Sequence, residues 1–434
     1  MKRRHLQADG PDRPTRRQFL RQAAATAAAG AVAAAAPRIA IVQARSANDR
    51  IGVGYIGIGG RSHAHLGAVH WLKNHGKEAV DIVAVCDAYR PRMQQAAKAY
   101  NAKEYTDHRK LLEDPNVDVV CIATPDHHHG YQTIDAFNAG KDVYCEKPFV
   151  HWRQFELAKR AAKLAAEKKR IFQLGTQGMS DAAWHQAAKL VADGLIGRPI
   201  HAECGYFRVG DWGERGMPIP DRNVKPGPDL DWETFLGDAP KKPFDVSRFF
   251  RWRMYEDYSG GPVTDLLPHS FTPVVHMLGV RLPSIAVATG GKFRYQEREV
   301  PDTFNMLVDY PQKVTAAVLG TQGNSHQGNA GRGAGGRCPI IRGWDGTLTF
   351  EGGYIVFTPV DARQKKPQRI QIEHGENLVD HWKNLLAAVR SRDPRTNSPI
   401  DLAYHVQTAL NMAMLSLRSG KTARFDAETE QIRI

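Results

Sequence analysis

Three stretches of the chain place reactive side chains at spacings that suit chemistry. The first is Glu146-Lys147-Pro148, which ends the short apolar run Asp142 to Cys145. That run reads as a buried strand. In an open α/β sheet, ligands bind outside the carboxyl ends of the strands, so a lysine there points at a ligand and not into the core. A surface ion pair followed by a turn fits the same residues. The second is Asp265 and His269, four residues apart. On a helix that spacing puts both side chains on one face, within reach of each other. A carboxylate beside an imidazole fixes its tautomer and raises its basicity, which suits a general base near neutral pH. A helix-surface ion pair is the plainer alternative. Pro268 lies between them and is expected to kink the helix. The third is Gly57-Ile58-Gly59-Gly60-Arg61-Ser62. Gly57 permits a tight turn, and Gly59 lets backbone N–H groups approach a pyrophosphate at a helix N-terminus.

The elements that must hold these residues alternate. Ile51 to Ile56 is an apolar strand running into the glycines, followed by a helix ending near Asn74. Asp81 to Cys86 is a second strand and ends at Asp87, an acid placed to accept hydrogen bonds from ribose hydroxyls. A helix N-cap is the other role for Asp87. Val117 to Thr124 is a further strand, ending in Thr124-Pro125-Asp126-His127-His128-His129. Three consecutive histidines on a turn point in different directions, so one is expected to face the cleft and the others solvent, with no metal bound. Trp152 to Lys169 reads as a helix and Ile171 to Leu174 as a strand. Alternating β and α units predict a mostly parallel sheet over residues 48–175.

Residues 176–434 change character. The helix Asp181–Asp193 leads to a strand, Ile200 to Val209, and residues 210–230 read as a long loop of the kind that covers a site. Tyr206, Arg208, Trp212, Trp252 and Arg253 suit contacts to a polyol, and each also fits core or surface. Five β-like runs between Ser284 and Thr358 are joined by turn residues, as in an antiparallel sheet. Helices Leu378–Arg390 and Asp401–Leu417 close the domain. His276, seven residues after His269, reads as a satisfied core histidine.

The whole chain of 434 residues carries +13, but residues 1–46 account for +7 of it, leaving a modest excess that gives no reason to expect nucleic-acid binding. Cys86, Cys121, Cys145, Cys204 and Cys338 show no C-x-x-C spacing and read as buried thiols. Arg16 and Arg17 precede a weakly hydrophobic run, Ala23 to Ala36, which matches a twin-arginine export signal. The run is too short and too rich in alanine for a membrane span. The expectation is a periplasmic protein exported already folded, its cofactor loaded beforehand; an alanine-rich helical extension is the alternative.

Taken together, Gly57–Ser62 with His65, Asp87, Thr124-Pro125-x-x-x-His129, Ala139-Gly140-Lys141 and Glu146-Lys147-Pro148 resemble the glucose–fructose oxidoreductase / inositol dehydrogenase / rhizopine catabolism (Gfo/Idh/MocA) family. Gly260, Gly261, Asp265 and His269 match that family's Gly-Gly-x-x-x-Asp-x-x-x-His segment. The resemblance implies an α/β protein: an N-terminal Rossmann-type parallel sheet, then an α/β domain with a large, mainly antiparallel open sheet that also serves as an oligomer interface. It implies a dimer or tetramer. It places Gly57, Gly59, Gly60, Arg61, Ser62, Asp87, Thr124, Pro125, His129, Glu146 and Lys147 around the cofactor, and makes Lys147, Asp265 and His269 catalytic. Asp87 favours NAD, while Arg90 and Arg92 leave room for NADP. Export implies that the cofactor is held tightly. The expected chemistry is hydride transfer at a carbinol carbon of a sugar or cyclitol. Two alternatives accompany it: a redox-neutral, NAD-dependent glycoside hydrolase or lyase, and a non-catalytic nucleotide- or sugar-binding protein.

Overall fold

The computed structural model describes residues 50–210, 217–326 and 337–434. The expected export signal, Trp212 and the Cys338 side chain lie outside the described residues. Two sheets organise the rest. In the first, β1 (Ile51–Ile56), β2 (Val80–Cys86), β3 (Lys103–Tyr105), β4 (Val119–Ile122), β5 (Asp142–Cys145) and β6 (Phe172–Leu174) lie in the order β3-β2-β1-β4-β5-β6, every pair parallel. All residues of β1, β4 and β5 are buried, as expected of strands covered by helices on both faces. The strand order reverses between β1 and β4. That switch point opens a crevice at the carboxyl ends of the strands, where ligands bind in sheets of this kind.

The second sheet holds ten strands, in the order β14-β13-β12-β11-β7-β10-β9-β8-β15-β16. These are β7 (Pro199–Phe207), β8 (Ile285–Gly291), β9 (Thr303–Tyr310), β10 (Val314–Thr321), β11 (Arg337–Gly343), β12 (Gly346–Glu351), β13 (Tyr354–Pro359), β14 (Gln368–Gln371), β15 (Ala423–Asp426) and β16 (Gln431–Arg433). Only β7 and β10 pair in parallel. β9 and β10 alternate buried and less buried residues, the signature of a sheet packed on one face. The buried face meets the helices Ala182–Ala192, Leu267–Leu278 and Ile400–Ser419, with Phe271, Val274, Leu410 and Met414 in the core.

Two features depart from the sequence reading. The helix Leu378–Ser391, assigned to the second domain, packs on the first sheet: Trp382, Leu385 and Leu386 join Val53, Tyr55, Leu66 and Val69 in one apolar cluster. Arg390 and Arg392 reinforce it through Glu78 and Asp142. A cut at residue 175 therefore divides one core. The second departure lies beside Asp265. The expected single helix is two: Pro262–Asp265 and Leu267–Leu278, hinged at Leu266. Pro268 sits in the first turn of the second helix, where its missing N–H costs nothing. The proline therefore starts a helix instead of kinking one.

Candidate active site

The site is assembled from the glycine turn, the ends of β4 and β5, and the helix break at Leu266. Gly57 has φ +85°, and a Cβ there would stand 2.8 Å from the Thr124 backbone nitrogen. No other residue type meets both demands. The following helix, Gly60–Asn74, starts at Gly59 with no side-chain cap. Space within 4 Å of an added Cβ at Gly59 or Gly60 is empty. An uncapped helix N-terminus facing open space fits a pyrophosphate.

Glu146 ties this turn to the end of β5. Its Oε1 accepts from Arg61 Nε at 2.7 Å and from His65 Nε2 at 2.9 Å. The Trp382 indole can only donate, and it gives its N–H to His65 Nδ1 at 3.0 Å. His65 therefore carries its proton on Nε2 and donates it to Glu146. Burial alone would raise the Glu146 carboxyl, but the Arg61 guanidinium and His65 hold it well below the usual carboxylate range. Arg61 thus acts through Glu146, and it also donates to Gln177 at 3.2 Å.

Lys147 and Asp265 meet directly. Lys147 Nζ donates to Asp265 Oδ1 at 2.5 Å, and the two side chains are only 9% and 10% exposed. Arg253 Nε reaches the same oxygen at 3.0 Å. Burial would raise Asp265, yet Lys147, then Arg253, keep its carboxyl below its ordinary value. This corrects the expected Asp265–His269 pair. The helix break at Leu266 takes Asp265 out of the i, i+4 geometry, and two cations claim its oxygen.

His269 remains close. Its Nδ1 is buried and has no hydrogen-bond partner. Burial, then the charge of Lys147, pushes its pKa down to about 3, against the opposing charges of Glu146 and then Asp265. The imidazole is thus neutral and a weaker base than the spacing implied. The Lys147–Pro148 peptide is cis.

Asp87 is fully occupied. Its oxygens accept from Ile58 N–H at 2.5 Å and Tyr89 N–H at 2.7 Å, and from Arg92 at 2.8 Å on each oxygen. These four donors fill a carboxylate. A ribose hydroxyl must displace one, and Arg92, 29% exposed, is the one that can swing away. Ser62 is fully buried with its hydroxyl unpartnered. Thr124 donates to Gln132 at 2.9 Å and, with Pro125, stays partly open to the crevice. His129 is buried between two carbonyls, Pro148 O at 2.6 Å and Thr124 O at 2.9 Å. It clamps the β4 turn to the Glu-Lys-Pro turn.

The expectation that some of the three histidines face solvent is overturned. His127, His128 and His129 are 1%, 4% and 1% exposed. The first two donate to the Phe235 carbonyl at 2.9 and 2.7 Å, because residues 232–258 pack over them. Among the described residues no group of three His, Cys, Asp or Glu is placed to hold a metal ion. Of the proposed polyol contacts, Arg253 bonds to Asp265, and Arg208 lies near enough to lower it. Tyr206 packs beneath Arg208, while Trp252 is buried under the Arg253 guanidinium, 4.2 Å from its ring centre. His276 pairs with His185 at 3.1 Å. Sequence reasoning missed Trp382 entirely, since a tryptophan 317 residues from His65 leaves no local signal.

Comparison with known proteins agrees with the fold. Residues 51–176 match the model of an oxidoreductase family with an NAD-binding Rossmann fold (Gfo/Idh/MocA), and residues 181–313 match that family's C-terminal alpha/beta domain. Inositol 2-dehydrogenase of Salmonella typhimurium is 33% identical over 210 residues, 47% of this chain and 55% of that protein. The NAD(+)-dependent scyllo-inositol 2-dehydrogenase of Bacillus subtilis is 33% identical over 128 residues, 29% of this chain and 36% of that one. The chain thus spans about half the length, or less, of these curated relatives. A levoglucosan dehydrogenase solved with NADH and levoglucosan shares the fold, with a TM-score of 0.64 at 18% identity over 87% of this chain and 99% of that one.

Proposed function

The chain belongs to this Gfo/Idh/MocA oxidoreductase family, whose two models together match more than half of its 434 residues, and from that premise we propose that it moves a hydride between a carbinol carbon of a sugar or cyclitol and NAD(H). The observation that carries the proposal is the buried Lys147–Asp265 pair beside the unpartnered His269 Nδ1, at the end of a strand adjoining the open glycine turn.

Nicotinamide bound in the crevice supplies a hydride acceptor or donor. The protein's part is position and charge. Lys147, aimed by Asp265, donates a hydrogen bond to the substrate oxygen and stabilises the negative charge that develops on it. His269 accepts the hydroxyl proton on Nδ1. The proton leaves as the hydride does, the weakening C–H bond acidifies the hydroxyl and Lys147 takes up the charge on its oxygen, so a neutral imidazole of low basicity is sufficient. Arg253 and Arg208 flank Asp265 and are placed to contact the remaining hydroxyls. The intact Lys147, Asp265 and His269 set favours net dehydrogenation over redox-neutral cleavage or binding alone.

The test is a panel of polyols and sugars, inositols, xylose and levoglucosan included, offered with NAD+ while reduced nicotinamide is followed by absorbance. Turnover that falls about 10²–10⁴-fold in Lys147→Ala and His269→Ala, with NADH affinity kept, is the expected result. Full activity in both variants sinks the assignment.

Two further proposals concern the whole protein. Arg16-Arg17 and the run Ala23 to Ala36 support export by the twin-arginine route, to be checked by fractionating cells that make an Arg16→Lys/Arg17→Lys double variant. The open face of the second sheet, with Leu307 52% exposed on β9, supports a homo-oligomer. Leu307→Arg is expected to lower the mass measured by light scattering.

A further inference from the structure

Lys147 reaches Asp265 from the end of β5, and a second polar tether reaches the same short helix from beyond the end of β4. Asp126 opens the helix Asp126–Asn138, and its Oδ2 accepts from Thr264 Oγ1 at 3.0 Å. Thr264 directly precedes Asp265 and is fully buried, and Asp126 is 2% exposed. An acid in the first turn of a helix ordinarily serves that helix's dipole from the surface. This one is buried and joins a partner 138 residues away.

The helix Pro262–Asp265 needs outside support. Four residues are too few to hold a helical turn by their own hydrogen bonds, and its N-cap, Gly261, makes no side-chain bond. Thr264 is tied on both sides. Its Oγ1 accepts from Gly260 N–H at 3.0 Å and gives its one proton to Asp126, the Gly261 carbonyl being farther, at 3.5 Å. The backbone closes on this contact: a Cβ at Gly260 would stand 2.6 Å from Thr264 Cγ2, and one at Gly261 2.8 Å from Val300 Cβ. β4 and β5 are neighbours in the first sheet, so residues at their ends grip consecutive residues of the helix. Consecutive helical residues point about 100° apart. One tether leaves the turn free to rotate about its axis, and two in different directions do not. Burial raises the Asp126 carboxyl above its ordinary value and the Asp265 charge adds to this, against His129, Arg253 and Lys147. The bond to Thr264 needs only an acceptor oxygen, which Asp126 presents with or without a proton.

We propose that Asp126 and Thr264 are positioning residues: their hydrogen bond, made between the nucleotide domain and the second domain, fixes the rotation of the Pro262–Asp265 turn and so aims the Asp265 carboxylate at Lys147; the inference rests on the hydride transfer proposed above. Without the bond Asp265 turns, and Lys147 loses its direction towards the substrate oxygen. Both residues act through Asp265, and neither touches the substrate.

The test uses the full chain and the polyol of the panel that turns over fastest. Thr264→Val and Asp126→Leu roughly keep the side-chain shape and remove the bond. A reacting group displaced by about 1 Å loses up to about 10²-fold in rate, so kcat is expected to fall at least about tenfold in each variant, with KM and NADH affinity within about threefold of the wild type. The double variant should be no slower than the slower single one, because both changes remove the same bond. Thr264→Ser keeps the hydroxyl and Asp126→Asn keeps the acceptor, so both should retain kcat. Wild-type kcat in a folded Thr264→Val overturns the inference and leaves the proposed function standing. A loss of about tenfold in Asp126→Asn or Thr264→Ser overturns it too, and these milder variants decide the matter if the apolar ones do not fold. A wild-type chain that binds NADH but turns over no polyol refutes both readings.

Discussion

His269 enters any reaction as a neutral imidazole, and the pH dependence follows from that. Its pKa in the folded protein is pushed down to about 3, against about 6.5 for an unperturbed histidine. Protonation therefore does not remove the base between pH 7 and 5. The acid limb of kcat/KM for the free enzyme should lie below about pH 5, and an inflection near 6.5 that vanishes in a His269 variant would contradict this placement. Asp265 makes a second prediction. Removing one partner of a buried ion pair leaves the other charge uncompensated, at a cost of about 3–5 kcal/mol. Asp265→Ala removes the carboxylate that pairs with Lys147 and takes one partner from Arg253, so it should destabilise the protein by that order, measured by urea unfolding. The sequence made Lys147 and Asp265 legible as reactive residues but mispaired one of them. The local spacing pointed to His269, four residues on, whereas the true partner of Asp265 is 118 residues upstream.

At the scale of elements, the parallel strands other than β3 were legible as short apolar runs bounded by turn residues, and β8, β9, β10, β12 and β13 as runs joined by turn residues, whereas β11 and β14 were not read as strands. β3 escaped notice because Lys103-Glu104-Tyr105 is polar and short, and it is a strand only because β2 templates it. β15 and β16 are held likewise by pairing at the sheet edge. The helix Leu378–Ser391 was legible as a helix but not as part of the first domain. Amphipathic periodicity says that one face is buried and is silent on what buries it. Its contribution is measurable. Trp382 is fully buried, stacks on Tyr144 with ring centres 4.8 Å apart, and fixes the His65 tautomer. Trp382→Ala should cost about 3–5 kcal/mol of stability in urea unfolding. It should also weaken NADH binding, because His65 loses the donor that fixes its tautomer and so no longer holds Glu146, the acceptor that positions Arg61.

Over the whole molecule, buried histidines set the response to acid. His127 and His381 are at most 1% exposed, and burial pushes each down to about 4. Their folded pKa lies below the unfolded one, so the unfolded chain binds more protons between about pH 6.5 and 4, and stability falls as pH drops through that window. Each costs about 2 kcal/mol by pH 5 under this linkage. Glu146 and Asp265 are depressed as well, but their contribution is lost only below about pH 4. The melting temperature should therefore drop by several degrees between pH 7 and 5, and a flat profile there would refute the account. His381→Gln should flatten part of the slope.

The return of residues 378–391 to the first sheet has a consequence for how the protein is made. A ribosome finishes the six parallel strands long before the helix that covers one of their faces has emerged. At roughly 10 residues per second the wait is on the order of half a minute. Through that interval Val53, Tyr55, Leu66 and Val69 lack their partner, and His65 lacks the indole that orients it. The nascent chain must be shielded until synthesis is nearly complete, and the nucleotide can be captured in its final form only at the end of translation.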